Sequence, residues 1–227
     1  MEYTYRSLDS RTTWLCRLLY MLAAMDVVSL FGNHYQRTVL RRVAYMTADN
    51  AEAIQAQAAS SDFWTRLIAI PPVGLLLVVY VLAGMWIHRA AANTRALGAS
   101  GLSFTPGWAV GWHFIPFANL VKPYQAMSEI WRASADPYDW DRTTAPRELP
   151  LWWGLWLATC FIGNAMLRLS LHAEKVDELL TVNTLSIASD LVSLPLNLLF
   201  AHILIRIADM QASQPDPAEA PGLAATA

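Results

Sequence analysis

Charge is scarce in this chain. Of its 227 residues only 15% are Asp, Glu, Lys or Arg, against about 25% in an ordinary soluble domain. The net charge is −2, too far from basic to give the electrostatic footprint of a nucleic-acid binder. Cysteine is nearly absent: Cys16 and Cys160 each lie inside an apolar run. Two isolated thiols make neither a disulfide framework nor a zinc spacing, and they read as packed side chains. Catalytic motifs are missing as well. The sequence holds no G-x-S-x-G, no Gly-rich phosphate cradle and no H-E-x-x-H, so nothing in it argues for an enzyme or a cofactor.

What the chain has is apolar bulk: 55% hydrophobic residues, with ten Trp and eight Tyr, rings that favour the membrane–water boundary. Four runs approach the roughly 20 residues that cross about 30 Å of hydrocarbon. They lie at about residues 12–32, 72–88, 149–171 and 184–207. Hydrocarbon leaves backbone polar groups no outside partner, so each must be a helix. The first contains Arg17 and Asp26, follows a long polar leader and precedes no clean cleavage site, so it reads as a retained helix. The second opens with Pro71-Pro72, tolerable in a first turn, and Pro195 should kink the fourth.

These spans form a single helical membrane domain over 1–210, with a Pro/Ala-rich disordered tail at 211–227. Residues 34–66, rich in Ala and Gln, read as a helical excursion outside the membrane. An inside N-terminus puts Arg6, Arg11, Arg17, Arg89, Arg95, Lys122, Arg132, Arg142, Arg147 and Arg206 inside, ten of the 16 cations. Outside remain Arg37, Arg41, Arg42, Arg66, Arg168 and Lys175. That balance favours a cytoplasmic N-terminus.

"GWAVGWHFIPFANLVKPYQAMSEIWRAS", residues 107–134, changes character part-way. Residues 107–121 are apolar but too few to cross alone. Gly107 and Gly111, like Trp108 and Trp112, stand four apart, a small-residue spacing that permits close helix approach. Pro116 removes a backbone donor and Asn119 could serve freed backbone groups. Around Lys122-Pro123 the pattern changes, and Leu120, Tyr124, Met127 and Trp131 fall on one helical face. Lys122, Gln125, Glu129 and Arg132 fall on the other. The segment 107–133 therefore reads as dipping into the cytoplasmic leaflet and returning as an amphipathic interfacial helix. The alternative is a complete fifth crossing.

"FTPGWAVGWHFIPFANLVKPYQAMSEIWRAS", followed by Asp136-Pro137 and a Trp-rich helix, resembles the bacterial multi-pass membrane family known as domain of unknown function 4328. The resemblance is densest over residues 93–137 and extends from Leu67 to the last helix. It implies a protein of the bacterial cytoplasmic membrane with several helices, and no activity. His113 stands where the family is more often aromatic, so the resemblance does not make it a ligand.

Ionisable groups in membrane helices are costly, commonly paired and often functional. Asp26, Arg168 and Asp190 come to similar depth in a four-helix arrangement, and one arginine between two carboxylates makes a sensible buried ion cluster. It would hold helices in register or line an ion path. His88 and His202, near inner helix ends, could ligate a haem only as an inward-facing pair. The acidic turn Glu174, Asp177, Glu178 reads as solvated, and "DPYDWD" at 136–141 as an interfacial loop with aromatic anchors rather than a cation site.

The expectation is a scaffold, assembly factor or sensor component working against the lipid bilayer, other membrane proteins or a second copy of itself. Its surface would comprise Trp108, Trp112, Pro116, Asn119, Lys122, Pro123, Tyr124, Met127 and Trp131. An ion- or proton-conducting role for the Asp/Arg cluster is the alternative, with a haem-binding redox protein behind it.

Overall fold

The computed structural model describes residues 3–173 and 175–214, and the chain is all-α, with no strand among those residues. Six helices follow one another: α1 (Asp9–Ala44), α2 (Ala51–Ala96), α3 (Pro106–Gly111), α4 (Lys122–Ala135), α5 (Glu148–Ser170) and α6 (Val176–Ser213). With 36, 46 and 38 residues, α1, α2 and α6 run roughly 54, 69 and 57 Å, well past a hydrocarbon core of ~30 Å. The α1 and α6 helices and the helical run ending at Ala96 are long and apolar enough to cross a membrane.

The boundaries correct several sequence expectations. The α2 helix starts at Ala51 and passes straight through Pro71 and Pro72, which therefore do not occupy a first turn. They remove the intrahelical donors for the carbonyls of Leu67 and Ile68. The Ala/Gln-rich stretch before them has helical propensity and no breaker to stop it. Residues 34–66 are thus mostly the prolonged ends of α1 and α2. They meet at a turn in which the Thr47 N–H donates to Asn50 Oδ1 at 2.7 Å. At the other end, α6 continues to Ser213, so residues 211–213 are not tail. Residues 215–227 lie outside the described residues, as does Glu174.

The chain divides into two compact units. Unit 1 comprises Met1–Arg17, Val79–Trp153 and Phe200–Ala227. Its core is built from Leu8, Leu15, Trp86, Met127, Leu149, Ile203, Leu204 and Ile207 with small residues such as Ala90, Ala126, Ala133 and Ala201. Alanines let backbones come close. Ala90, Ala126, Ala133 and Ala201 are buried in this core, whereas Gly107 and Gly111 make no close approach to another helix. A methyl on Gly107 would meet nothing, and one on Gly111 only its own neighbour Trp108. Amides satisfy one another inside this core. Asn93 Nδ2 donates to Gln211 Oε1 at 2.9 Å, and Gln211 Nε2 donates to Ser134 Oγ at 2.9 Å and to the Ala90 carbonyl at 3.0 Å.

Unit 2, Leu18–Val78 with Gly154–Leu199, has the opposite character. Phe31, Ile70, Leu77 and Phe161 are exposed, whereas Asn33, Ser61 and Asn183 are buried. In water such an arrangement would leave apolar surface bare while removing polar groups from solvent. In hydrocarbon it is the stable one, since polar side chains find partners only between helices.

Candidate functional site

In unit 2 a line of polar residues runs along α1 at Asp26, Ser29, Asn33 and Gln36, spaced three, four and three. A matching line runs along α6 at Asn183, Ser186, Asp190, Ser193 and Asn197, spaced three, four, three and four. Each spacing keeps one helical face. The two lines meet antiparallel. Asn197 Nδ2 donates to Asp26 Oδ2 at 3.0 Å, and Asn33 Nδ2 to Asp190 Oδ2 at 2.8 Å. Asn183 Nδ2 donates to the Asn33 carbonyl at 3.0 Å and to Gln36 Oε1 at 3.1 Å. Ser193 Oγ donates to the Asp190 carbonyl at 3.4 Å, and Asn33 Nδ2 also donates to Ser29 Oγ at 3.2 Å. Just beyond, Arg37 Nη1 donates to Thr184 Oγ1 at 2.7 Å.

Asp26 and Asp190 are therefore brought into one seam, but Arg168 is not brought to them. Arg168 is exposed on α5, and the single ion pair within 4.0 Å among the described residues is Asp139–Arg142. Residue count along a helix fixes depth and leaves rotation free, and Arg168 is exposed with no carboxylate within 4.0 Å among the described residues. Neutral amides solvate the two carboxyls instead. The Oδ1 of Asn183, a residue 3% exposed, accepts no hydrogen bond, so the seam has an unfilled acceptor at one end.

The bent segment lies in unit 1. Thr105 caps α3, its Oγ1 accepting from the Trp108 N–H at 3.3 Å, with Pro106 in the first turn. The helix stops after six residues. Two 3-10 turns, Trp112–Phe114 and Ala118–Leu120, follow. Between them Pro116 and Phe117 reverse the chain, Phe117 at φ +64°, a conformation rare for a residue with a side chain. Neither α3 nor the 14-residue α4 has the length a crossing needs, so no continuous helix supports the five-span alternative. The Trp153 indole fixes the turn by donating to the Leu120 carbonyl at 2.8 Å.

The α4 helix is two-faced, but its apolar face is not free. Met127 is 0% and Trp131 9% exposed, Pro123 is buried, and Tyr124 is half-buried. Glu129, expected on the solvated face, is 5% exposed. Its Oε2 and Oε1 accept the backbone N–H groups of Ser103 at 2.8 Å and Phe104 at 3.0 Å. Both corrections have one cause. Helix pattern alone does not reveal that residues 99–105 and the rest of unit 1 cover this helix on both sides. Lys122 sits over the Phe104 ring at 5.8 Å, and Asn119 engages through its backbone N–H to the Ile115 carbonyl.

The free apolar surface lies earlier. Phe117 and Phe114 are 86% and 81% exposed, and Trp108, Leu120 and Val121 are exposed beside them. Trp112 is half-buried against Trp108, the ring centroids 4.8 Å apart. Pro116 is exposed at the tip. Of the expected surface, then, Trp108 and Pro116 are exposed, Trp112, Asn119, Lys122 and Tyr124 are half-buried, and Pro123, Met127 and Trp131 are buried.

His88 and His202 both lie on outward, exposed positions, each flanked by buried neighbours such as Ile87 and Ile203. A core haem needs them facing inward, so this pair does not provide its axial ligands. In "DPYDWD", Asp136 Oδ1 accepts the N–H groups of Tyr138 at 3.0 Å and Asp139 at 3.1 Å, while Trp140 Nε1 donates to the Ser100 carbonyl at 2.8 Å. Its carboxylates organise a turn, and no metal-holding group of three or more His, Cys, Asp or Glu occurs among the described residues.

The family model for DUF4328, a domain of unknown function, matches residues 48–209. The chain belongs to this family. The match takes in α2 through nearly all of α6, with the bent segment inside it. No curated protein and no solved structure matches the chain.

Proposed function

We propose that this DUF4328 protein is a non-enzymatic multi-pass component of the bacterial cytoplasmic membrane, a scaffold, assembly factor or sensor subunit acting through helix and lipid contacts. Its N-terminus is cytoplasmic. The 23 residues of α5, about 35 Å long, make a fourth crossing with Trp152, Trp153 and Trp156 toward one boundary. The reading is carried by the turn at 112–121. Five large apolar residues, Trp108, Phe114, Phe117, Leu120 and Val121, are exposed on a segment held by a helix cap, a tryptophan hydrogen bond and α4. A rigid apolar tip of this kind costs free energy in water and gains it in the bilayer.

The test places an environment-sensitive fluorophore on Phe117→Cys, with Cys16 and Cys160 replaced by Ser, in liposomes. We expect a blue-shifted emission quenched by spin-labelled lipid. A probe in water, unquenched by lipid in either leaflet, would sink the reading.

A second reading has its own observation. Asp26 and Asp190 share one seam with no cationic partner within 4.0 Å among the described residues. Carboxyls so placed in hydrocarbon hold a proton or a small cation rather than a bare charge.

A further inference from the structure

Nine residues of α2, from Met85 to Asn93, receive the start of the chain. Arg89 Nη2 donates to the Thr4 carbonyl at 2.9 Å. The Arg6 N–H donates to Asn93 Oδ1 at 3.2 Å, and Asn93 Nδ2 returns a bond to the Arg6 carbonyl at 2.8 Å. Arg11 Nη1 reaches the Met85 carbonyl at 3.4 Å, and Trp86 Nε1 fixes Thr12 Oγ1 at 2.8 Å. Three arginines, Arg6, Arg11 and Arg89, are thereby gathered beside about 12 Å of helix, near enough for their charges to act on one another.

Nothing in the described chain neutralises them. None pairs with a carboxylate within 4.0 Å among the described residues. Arg89 Nε is buried with no hydrogen-bond acceptor, a donor that a packed structure rarely leaves empty. Gathering like charges without a counter-charge is unfavourable unless an anion completes the site. The surroundings say which anion. The apolar run of α2 ends at Met85 and Trp86, where the arginines begin. Trp14 and Met85 are exposed beside them, with the Arg17 guanidinium 5.0 Å from the Trp14 ring centroid. Guanidinium forks match phosphate oxygens, and exposed apolar side chains alongside suit acyl chains at the headgroup boundary.

We propose that Arg6, Arg11 and Arg89 form a binding site for the phosphate of an anionic phospholipid headgroup. The site rests on the reading of α1 and α2 as membrane helices but uses none of the turn residues. The chemistry of phosphate recognition is shared with free phosphate; the apolar flank assigns it to lipid.

The test is native mass spectrometry of the delipidated full chain, titrated with phosphatidylglycerol or phosphatidylcholine, with inorganic phosphate as competitor. Wild type should prefer phosphatidylglycerol, and Arg6→Gln with Arg11→Gln, both exposed, should weaken it about 30-fold while phosphatidylcholine is unaffected. Arg89→Lys, which keeps charge but loses the fork, should weaken it less. Equal binding of the two lipids, or an unchanged double variant, overturns the proposal. Displacement of lipid by equimolar inorganic phosphate overturns the lipid assignment. A turn buried in liposomes together with no phosphatidylglycerol preference refutes this site alone and leaves the function above standing.

Discussion

Replacing Glu129 by Ala removes the acceptor for two backbone donors at once. The carboxylate accepts from Ser103 N–H at 2.8 Å and Phe104 N–H at 3.0 Å, in a side chain almost wholly buried. The same loop is held from its other side by Arg95, whose guanidinium donates to the carbonyls of Phe104 and Ala91. A hydrogen bond to a charged group contributes about 1.5–3 kcal/mol. The donors here are only part-buried, so water recovers some of the loss, and Glu129→Ala should cost about 2–4 kcal/mol in total. At roughly 2–4 °C per kcal/mol for a chain of this size, the melting midpoint in detergent should fall by about 4–16 °C. Glu129→Gln keeps one acceptor but turns an amide N–H toward the other donor, so it should lose about half as much. Hydrogen exchange provides the local readout, because the Ser103 and Phe104 amides should exchange faster in both variants while the Trp86 amide, deep in α2, should not. A midpoint lowered by less than about 2 °C in Glu129→Ala, with exchange at Ser103 and Phe104 unchanged, would refute the assignment of Glu129 as the clasp of this loop.

Two further expectations follow from the two units. If Asp26 and Asp190 carry protons, liposomes holding the wild-type chain should dissipate an imposed pH gradient faster than empty ones. Asp26→Asn and Asp190→Asn should each abolish the excess without lowering the melting midpoint, since Asn keeps an acceptor for Asn197 or Asn33. A silent wild type, or unchanged flux in both variants, removes the proton reading. In unit 1, Trp86→Phe loses the 2.8 Å bond to Thr12 and leaves a hole in a fully buried position, for about 2–3 kcal/mol. Adding Thr12→Val should then cost little more, and fully additive losses in a double-mutant cycle would show that the bond contributes nothing.

Element type was legible in the sequence because hydrocarbon allows few alternatives: a run of 20 apolar residues with no backbone partners outside itself must be a helix. The ends were less legible. Pro71-Pro72 looks like a beginning when only the apolar run is considered, yet α2 starts 20 residues earlier, since a helix need not change where its solvent does. Faces were the hardest to read. The spacing of Tyr124, Met127 and Trp131 gives the apolar face of α4, while Leu120 falls in the turn before that helix. It does not say that unit 1 buries the apolar side, or that partners 25 and 26 residues away in sequence draw Glu129 inward. The polar seam shows the same division. The spacing of Asn183, Ser186, Asp190, Ser193 and Asn197 is visible in the chain. That Asn33 and Asn197 rather than Arg168 would meet the carboxyls depends on helix rotation, which spacing within one helix leaves free.

The extent of the family match bears on which features can belong to the family. Residues 48–209 contain every part of the bent segment: its Thr105 cap, the turn, α4, the Glu129 clasp with Ser103 and Phe104, and the Trp153 that ties down Leu120. The exposed tip can therefore be built from within the matched region alone. The seam cannot, because Asp26, Ser29, Asn33 and Gln36 lie before residue 48 and only the α6 half is inside. The arginine site is divided in the same way, with Arg89 inside and Arg6 and Arg11 outside. The seam and the proposed phosphate site both depend on residues that precede the matched region. Transplanting residues 1–47 onto another family member should carry phosphatidylglycerol preference only if that member has an arginine at the position of Arg89, whereas lipid burial of its turn should not depend on the transplant.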